Sequence, residues 1–161
     1  MTRKQCFAPV VDSQTRILIL GSLPGEKSLE QGQYYANKQN AFWFLISQVI
    51  CVDLVELGYE ERLATLLKHG VGLWDVVADA KREGSLDANI REHQANDLAG
   101  LISSLPNLAI IAFNGRTAAK LGTKQLTSLS PRLRLVELPS SSPAFTLPVG
   151  KKLEAWMALR G

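Results

Sequence analysis

Histidine and cysteine are scarce in this chain of 161 residues, with two of each. Cys6 and Cys51 form no Cys-x-x-Cys pair, and His69 and His93 do not stand at ligand spacing. Two thiols without a cluster of imidazoles or carboxylates cannot close a zinc or iron–sulfur site. No metal and no cofactor are therefore expected. His69 precedes Gly70 and reads as a helix end, where a cation complements the helix dipole. No apolar run approaches the length that crosses a bilayer. Residues Met1–Gln5 lead into no apolar secretory segment, so the expectation is a soluble, cytoplasmic protein. Internal repeats and low-complexity linkers are lacking as well. Charge of one sign is only mildly in excess: 18 Lys and Arg against 15 Asp and Glu give a net charge of +3 and a pI of about 9.0. That balance permits an acidic partner without demanding one. The basic pairs Lys81–Arg82, Arg132/Arg134 and Lys151–Lys152 read as solvated surface.

What the chain does have is apolar residues, 46% of the total, enough for the core of one compact domain over residues 1–161. Four β-branched-rich runs read as strands: Arg16–Leu20, Gly72–Val77, Leu108–Phe113 and Leu133–Leu138. They are near-continuous rather than alternating, as in parallel sheets covered on both faces. Helical patterns lie between them, at Phe42–Cys51, Glu60–Lys68, Asn96–Leu105, Thr117–Leu121 (ending at Gly122) and Lys151–Arg160. Strands alternating with helices predict an α/β architecture of βαβ type. Right-handed crossovers then place the strand C-termini on one edge. The polar segment Ala78–Asn96 reads as a long surface excursion. Pro139–Gly150, rich in Ser and Pro, follows the last strand.

Ligands of open α/β sheets sit outside the carboxyl ends of the strands. The first strand ends in Gly21-Ser22-Leu23-Pro24-Gly25, with Tyr34-Tyr35-Ala36-Asn37-Lys38-Gln39-Asn40-Ala41-Phe42-Trp43 close behind. The third ends at Phe113-Asn114-Gly115-Arg116, and the fourth at Leu138-Pro139-Ser140-Ser141-Ser142-Pro143-Ala144. The first loop lacks the Gly-Lys-Ser/Thr ending of a P-loop and is no G-x-G-x-x-G. Neither histidine is near a strand end, so a Ser/His/Asp set is excluded. The only acids near the first loop are Glu26 and Glu30, both readable as solvated, so no paired-carboxylate set is expected. Carboxamides, aromatic rings, hydroxyls and backbone N–H groups remain. An amide presents donor and acceptor together and can pair with a nucleobase edge. An aromatic face stacks on its π-surface, and Gly and Ser loops let backbone approach phosphates.

Taken together, G-S-x-P-G, QYYA-x-x-x-NAFW, Gly72–Val76 (GLWDV), Gly84–Asp87 (GSLD), Phe113–Gly115 (FNG) and Leu138–Ala144 (LPSSSPA) resemble the uracil-DNA glycosylase superfamily over nearly the whole chain. Within it the similarity is to the hypoxanthine-DNA (deoxyinosine) branch, with mismatch-specific uracil-DNA glycosylases as relatives. The resemblance implies a three-layer α/β/α sandwich around a mostly parallel four-stranded sheet. It implies a monofunctional enzyme that extrudes deaminated bases from DNA and hydrolyses the glycosidic bond, since no lysine stands in the motifs as a Schiff-base nucleophile. By resemblance Asn40 positions the attacking water, while its place before an apolar helical run also suits a helix cap. Tyr35 stacks on the extruded base, and Ser22, Leu23, Phe113 and Asn114 bind it, Asn114 at its edge. Gly21, Pro24, Gly25, Ser140, Ser141, Ser142, Pro143 and Ala144 meet the DNA backbone or fill the gap left by the flipped nucleotide. Leu23 departs from mismatch-specific relatives, where an Asn stands, and Ser140 stands at the general place of a catalytic His in the main uracil enzymes. Asn37-Lys38 replaces a frequent His-Pro. The implied partner is duplex DNA carrying hypoxanthine, uracil or xanthine, with single strands left open, bound by a monomer in a bacterial or archaeal cytoplasm. Two other readings stay open: a DNA- or nucleotide-binding module without catalysis, and a hydrolase of free nucleosides or nucleotides.

Overall fold

A computed structural model describes residues 3–126 and 133–160. Its centre is a parallel four-stranded sheet made of β2 (Ile17–Gly21), β3 (Val71–Asp75), β6 (Ile110–Asn114) and β7 (Arg134–Leu138), in the order β3-β2-β6-β7. These are the anticipated strands, shifted by one or two residues. Of the basic pairs read as surface, Arg132 lies outside the described residues and Arg134 is exposed. Lys152 and Arg82 are instead buried.

Alternation along the strands divides the core into two layers. Ile17 and Ile19, Val71 and Leu73, and Ile110 and Ala112 face one side. There they meet α2 (Phe42–Ile50), α3 (Tyr59–Lys68) and α6 (Val149–Trp156). Leu18, Leu20, Ile111 and Phe113 face the other, under α4 (Leu98–Ser103) and α5 (Arg116–Leu126). The sheet is thus sandwiched between two helical layers, as expected. α2 is driven by packing: Phe42, Trp43, Leu45, Ile46 and Val49 are all buried. α4 starts after Asp97, whose carboxylate accepts from the Gly100 N–H at 3.0 Å. His69 follows α3, its Nδ1 lying 2.9 Å from the Thr65 carbonyl. β7, read as buried on both faces, is half-exposed because it forms the sheet's edge.

Two expectations need correction. The helix expected to stop at Gly122 runs on to Leu126. Gly122 is there for close packing: a Cβ would stand 2.4 Å from the Phe113 ring. The segment expected to be a plain surface excursion instead builds a second sheet. β4 (Val77–Lys81) pairs antiparallel with β1 (Arg3–Gln5) and with β5 (Arg91–Ala95), in the order β1-β4-β5. Every residue of β5 is exposed, so its sequence carries no apolar alternation to read. A short helix not anticipated, α1 (Glu26–Gln31), follows the first loop.

Candidate active site

Parity along the strands decides which side chains meet at the carboxyl edge. Gly21, Asp75 and Asn114 each continue the alternate series that faces α2 and α6, and Gly21 is the register partner of Asp75. They floor a hollow of about 450 Å³. Its walls come from the first loop (Ser22, Leu23, Pro24, Gly25), Tyr35, Asn40, the turn at Ser85–Asp87 and the last loop from Ser140 to Phe145.

The first loop is clamped from behind. The buried Arg82 guanidinium donates to the carbonyls of Leu23 (3.4 Å), Pro24 (2.5 Å) and Gly84 (2.9 Å). The Ser22 hydroxyl donates to Asp87 Oδ1 at 2.6 Å, and the Glu26 N–H to Ser85 Oγ at 2.9 Å. Leu23 also packs on Val77 and Ala80 of the small sheet. Lys4 of β1 pairs with Glu26 and donates to the Gly84 carbonyl at 2.7 Å. The second sheet is therefore a buttress for one wall.

The opposite wall is held equally firmly at its base. Asn114 Nδ2 donates to Ser141 Oγ and its Oδ1 accepts from the Ser141 N–H, both at 2.9 Å. The Ser141 carbonyl accepts from the Ala41 N–H at 3.0 Å, tying the loop to the start of α2. From α6, Trp156 Nε1 donates to the Pro139 carbonyl (2.9 Å) and Lys152 Nζ to that of Ser142 (3.0 Å). Pro143, Ala144 and Phe145 stand beyond these anchors as an exposed tip.

Tyr35 has φ of 54°, a left-handed backbone unusual for an aromatic residue. Its carbonyl accepts from Trp43 Nε1 at 3.1 Å, and its ring stacks on Phe42 at 3.8 Å and 14°. Burial pushes its hydroxyl well above the usual tyrosine range, with Asp75 adding to the rise. Tyr34 turns into the core, its hydroxyl donating to the Ala8 carbonyl at 2.8 Å. Asn40 Oδ1 accepts from the Phe42 N–H at 2.9 Å, capping the approach to α2.

Asp75 is the buried carboxyl at the floor of the hollow. It is 4% exposed, and Oδ2 has no hydrogen-bond partner. Burial first, and then the Asp87 carboxylate, push the carboxyl up to about 7, with Arg82 opposing. Burial raises Asp87 too, against the lowering effects of Ser22 and Arg82.

A family model for the uracil DNA glycosylase superfamily matches residues 8–160. The chain belongs to that superfamily. Membership makes it a DNA glycosylase, a hydrolase of N-glycosidic bonds whose substrate is DNA. It is 42% identical over 118 residues to a protein named hypoxanthine DNA glycosylase from Methanosarcina barkeri, covering 73% of this chain and 75% of that one. A protein of the same name from Methanosarcina acetivorans is 44% identical over 117 residues, covering 73% and 74%. The solution NMR structure of a candidate uracil DNA glycosylase from Methanosarcina acetivorans superposes with a TM-score of 0.84 at 37% identity. It covers 99% of this chain and 97% of that one.

The glycosylase brings together on one hollow all the residues singled out from its sequence except Phe113. Alternation along β6 turns the Phe113 ring to the opposite face of the sheet, against Gly122, so it cannot touch a base. The expectation of no acidic pair is also overturned: Asp75 and Asp87 both line the hollow. Asp75 lay two residues beyond Leu73 in the inward series 71, 73, 75, a signal that the strand alternation of Val71–Asp75 already carried. Arg82 fell in the segment read as surface, and Asp87 closed the Gly84–Asp87 motif without being given a role.

Proposed function

We propose that this glycosylase flips hypoxanthine out of duplex DNA and hydrolyses its bond to the sugar, acting as a monomer. The observation that carries the reading is the convergence of three strand-end loops, Tyr35 and Asn40 on a single hollow of about 450 Å³. The relatives named hypoxanthine DNA glycosylase support the choice of base. A base must leave the stack before its C1′ can be reached, at a cost of a few kcal/mol that is smallest for mispaired bases.

Asn40 takes the water. One lone pair of Oδ1 is spent on the Phe42 N–H. The second lone pair and the Nδ2 donors remain for a water molecule at the sugar face. Water oxygen bonds to C1′ as the C1′–N bond breaks. The electron pair leaves on the base nitrogen, and a proton from the water ends there. The amides of Leu23 and Gly25 donate to no group among the described residues and support the charge as it develops. Tyr35 supplies the stacking surface. The exposed Phe145, 47% accessible at the tip of the last loop, meets the stack that the flipped nucleotide has left.

The test is release of base from duplexes carrying hypoxanthine, uracil, xanthine or a thymine mispair, read as alkali-labile sites, beside free deoxyinosine. Hypoxanthine duplexes are cut fastest, deoxyinosine is spared, and Asn40→Ala lowers the single-turnover rate by about 10²-fold or more while duplex binding changes little. Equal rates for Asn40→Ala and the parent protein would overturn the assignment; release from free deoxyinosine alone would favour a nucleoside hydrolase.

A further inference from the structure

We propose that Asp75 is a specificity-determining residue of this site, its carboxyl pairing with a lactam (N–H beside C=O) edge of the extruded base. The inference rests on the proposed base-extruding function and names the chemical edge that the hollow reads.

Elimination singles Asp75 out. The side-chain amide of Asn114, first expected to read the base edge, is engaged by Ser141 at both ends, and its Nδ2 lies 3.4 Å from the Tyr35 hydroxyl. The Ser22 hydroxyl donates to Asp87. Ser140 and Ser142 accept from the N–H groups of Ser142 and Ala144 within their own loop. Asn40 binds the Phe42 N–H, and its remaining donors are assigned to the water. Among the described residues, Asp75 is the buried side chain on the hollow with an oxygen that nothing satisfies. An unpartnered buried polar atom costs about 1–3 kcal/mol, and more if charged. A cost held at the floor of a substrate hollow is recovered when a ligand supplies the missing partner.

The surroundings select the neutral acid. The cation that opposes the rise, Arg82, spends its guanidinium on three carbonyls. Facing Asp75 from the other elements are Asp87 from the turn, Tyr35 and Tyr34 from the loop before α2, and Cys6 beyond β1. None of these stabilises a negative charge, and burial itself opposes it. A carboxylic acid offers O–H and C=O side by side, matching the C=O and N–H of a lactam in two hydrogen bonds. Hypoxanthine carries that edge at N1 and C6, and uracil at N3 and C4. Ionisation removes the donor and sets a negative oxygen against the base carbonyl. Asparagine in the same place presents C=O and N–H₂, makes the same pair, and does not titrate.

Single-turnover release from the hypoxanthine duplex is therefore measured from pH 6 to 8.5 for the parent protein, Asp75→Asn and Asp75→Ala, with melting curves to confirm folding. The parent rate falls about tenfold per pH unit above pH 7, Asp75→Asn stays level within about twofold, and Asp75→Ala loses at least tenfold at pH 6. A shared pH profile for the parent and Asp75→Asn overturns the inference, as does a folded Asp75→Ala with the parent's rate. Should another base be released instead, the proposed choice of base fails, and the same comparison on that base still decides the role of Asp75. Should none be released, binding of free hypoxanthine at pH 6 and pH 8, followed by NMR, decides it. Weaker binding at pH 8 in the parent alone supports the role, and equal change in both proteins ends it.

Discussion

The Asp75 carboxyl makes this fold sensitive to pH. Asp75 is raised from 3.8 to about 7 in the native protein, first by burial and then by Asp87. Its native form holds a proton that the unfolded chain would release at lower pH. The stability it contributes is complete below about pH 4 and is lost as pH climbs through 7. Asp75→Asn cannot ionise, so its melting temperature relative to the parent should rise from pH 5 to pH 8. A constant difference between the two proteins would show that the carboxyl titrates normally. The neighbouring Gly21 is part of the same arrangement: a Cβ there would stand 2.7 Å from Asp75 Oδ1 and 3.2 Å from the Tyr35 hydroxyl. At this scale the sequence was half legible. Gly21, Tyr35, Asn40 and Asn114 stood out by residue type at strand ends. Asp75 did not, because an acid after a Trp in an apolar run looks like a strand terminus until the inward parity is counted.

At the scale of elements, α5 and the second sheet are the instructive cases. Gly122 read as a helix stop because glycine costs about 1 kcal/mol inside a helix. Here the missing side chain admits the Phe113 ring, which a Cβ would meet at 2.4 Å. Two terms oppose in Gly122→Ala: about 1 kcal/mol gained in helix propensity, against 1–3 kcal/mol for overpacking, typical of a filled core. Phe113 is 1% exposed and has nowhere to move, so overpacking wins. Urea unfolding should show a net loss of about 1 kcal/mol; a gain would mean that the ring relaxes freely. Three strands of the main sheet, β2, β3 and β6, were readable because burial on both faces leaves continuous apolar runs. β4 and β5 were not: β5 is exposed throughout, β4 buries only Val77 and Ala80, and their pairing shifts register twice.

Across the whole molecule, two apolar layers share one sheet, and the hollow opens where both end. Trp43 and Trp156 belong to one layer and Trp74 packs against the other. If residues 1–161 are a single folding unit, tryptophan fluorescence and far-ultraviolet circular dichroism should trace one coincident urea transition. Two separated midpoints would divide the layers. The layering itself followed from alternating strand and helix patterns, whereas the bracing of the hollow came from hydrogen bonds to carbonyls that no residue pattern announces. Those braces are far apart along the polypeptide. β1, at residues 3–5, holds the turn behind the first loop, and Trp156 and Lys152 hold the last one. In a folding chain, therefore, the sheet is complete at residue 138 before the segment carrying Trp156 has to pack, and a molecule caught at that stage has a folded scaffold but no fixed grip for DNA.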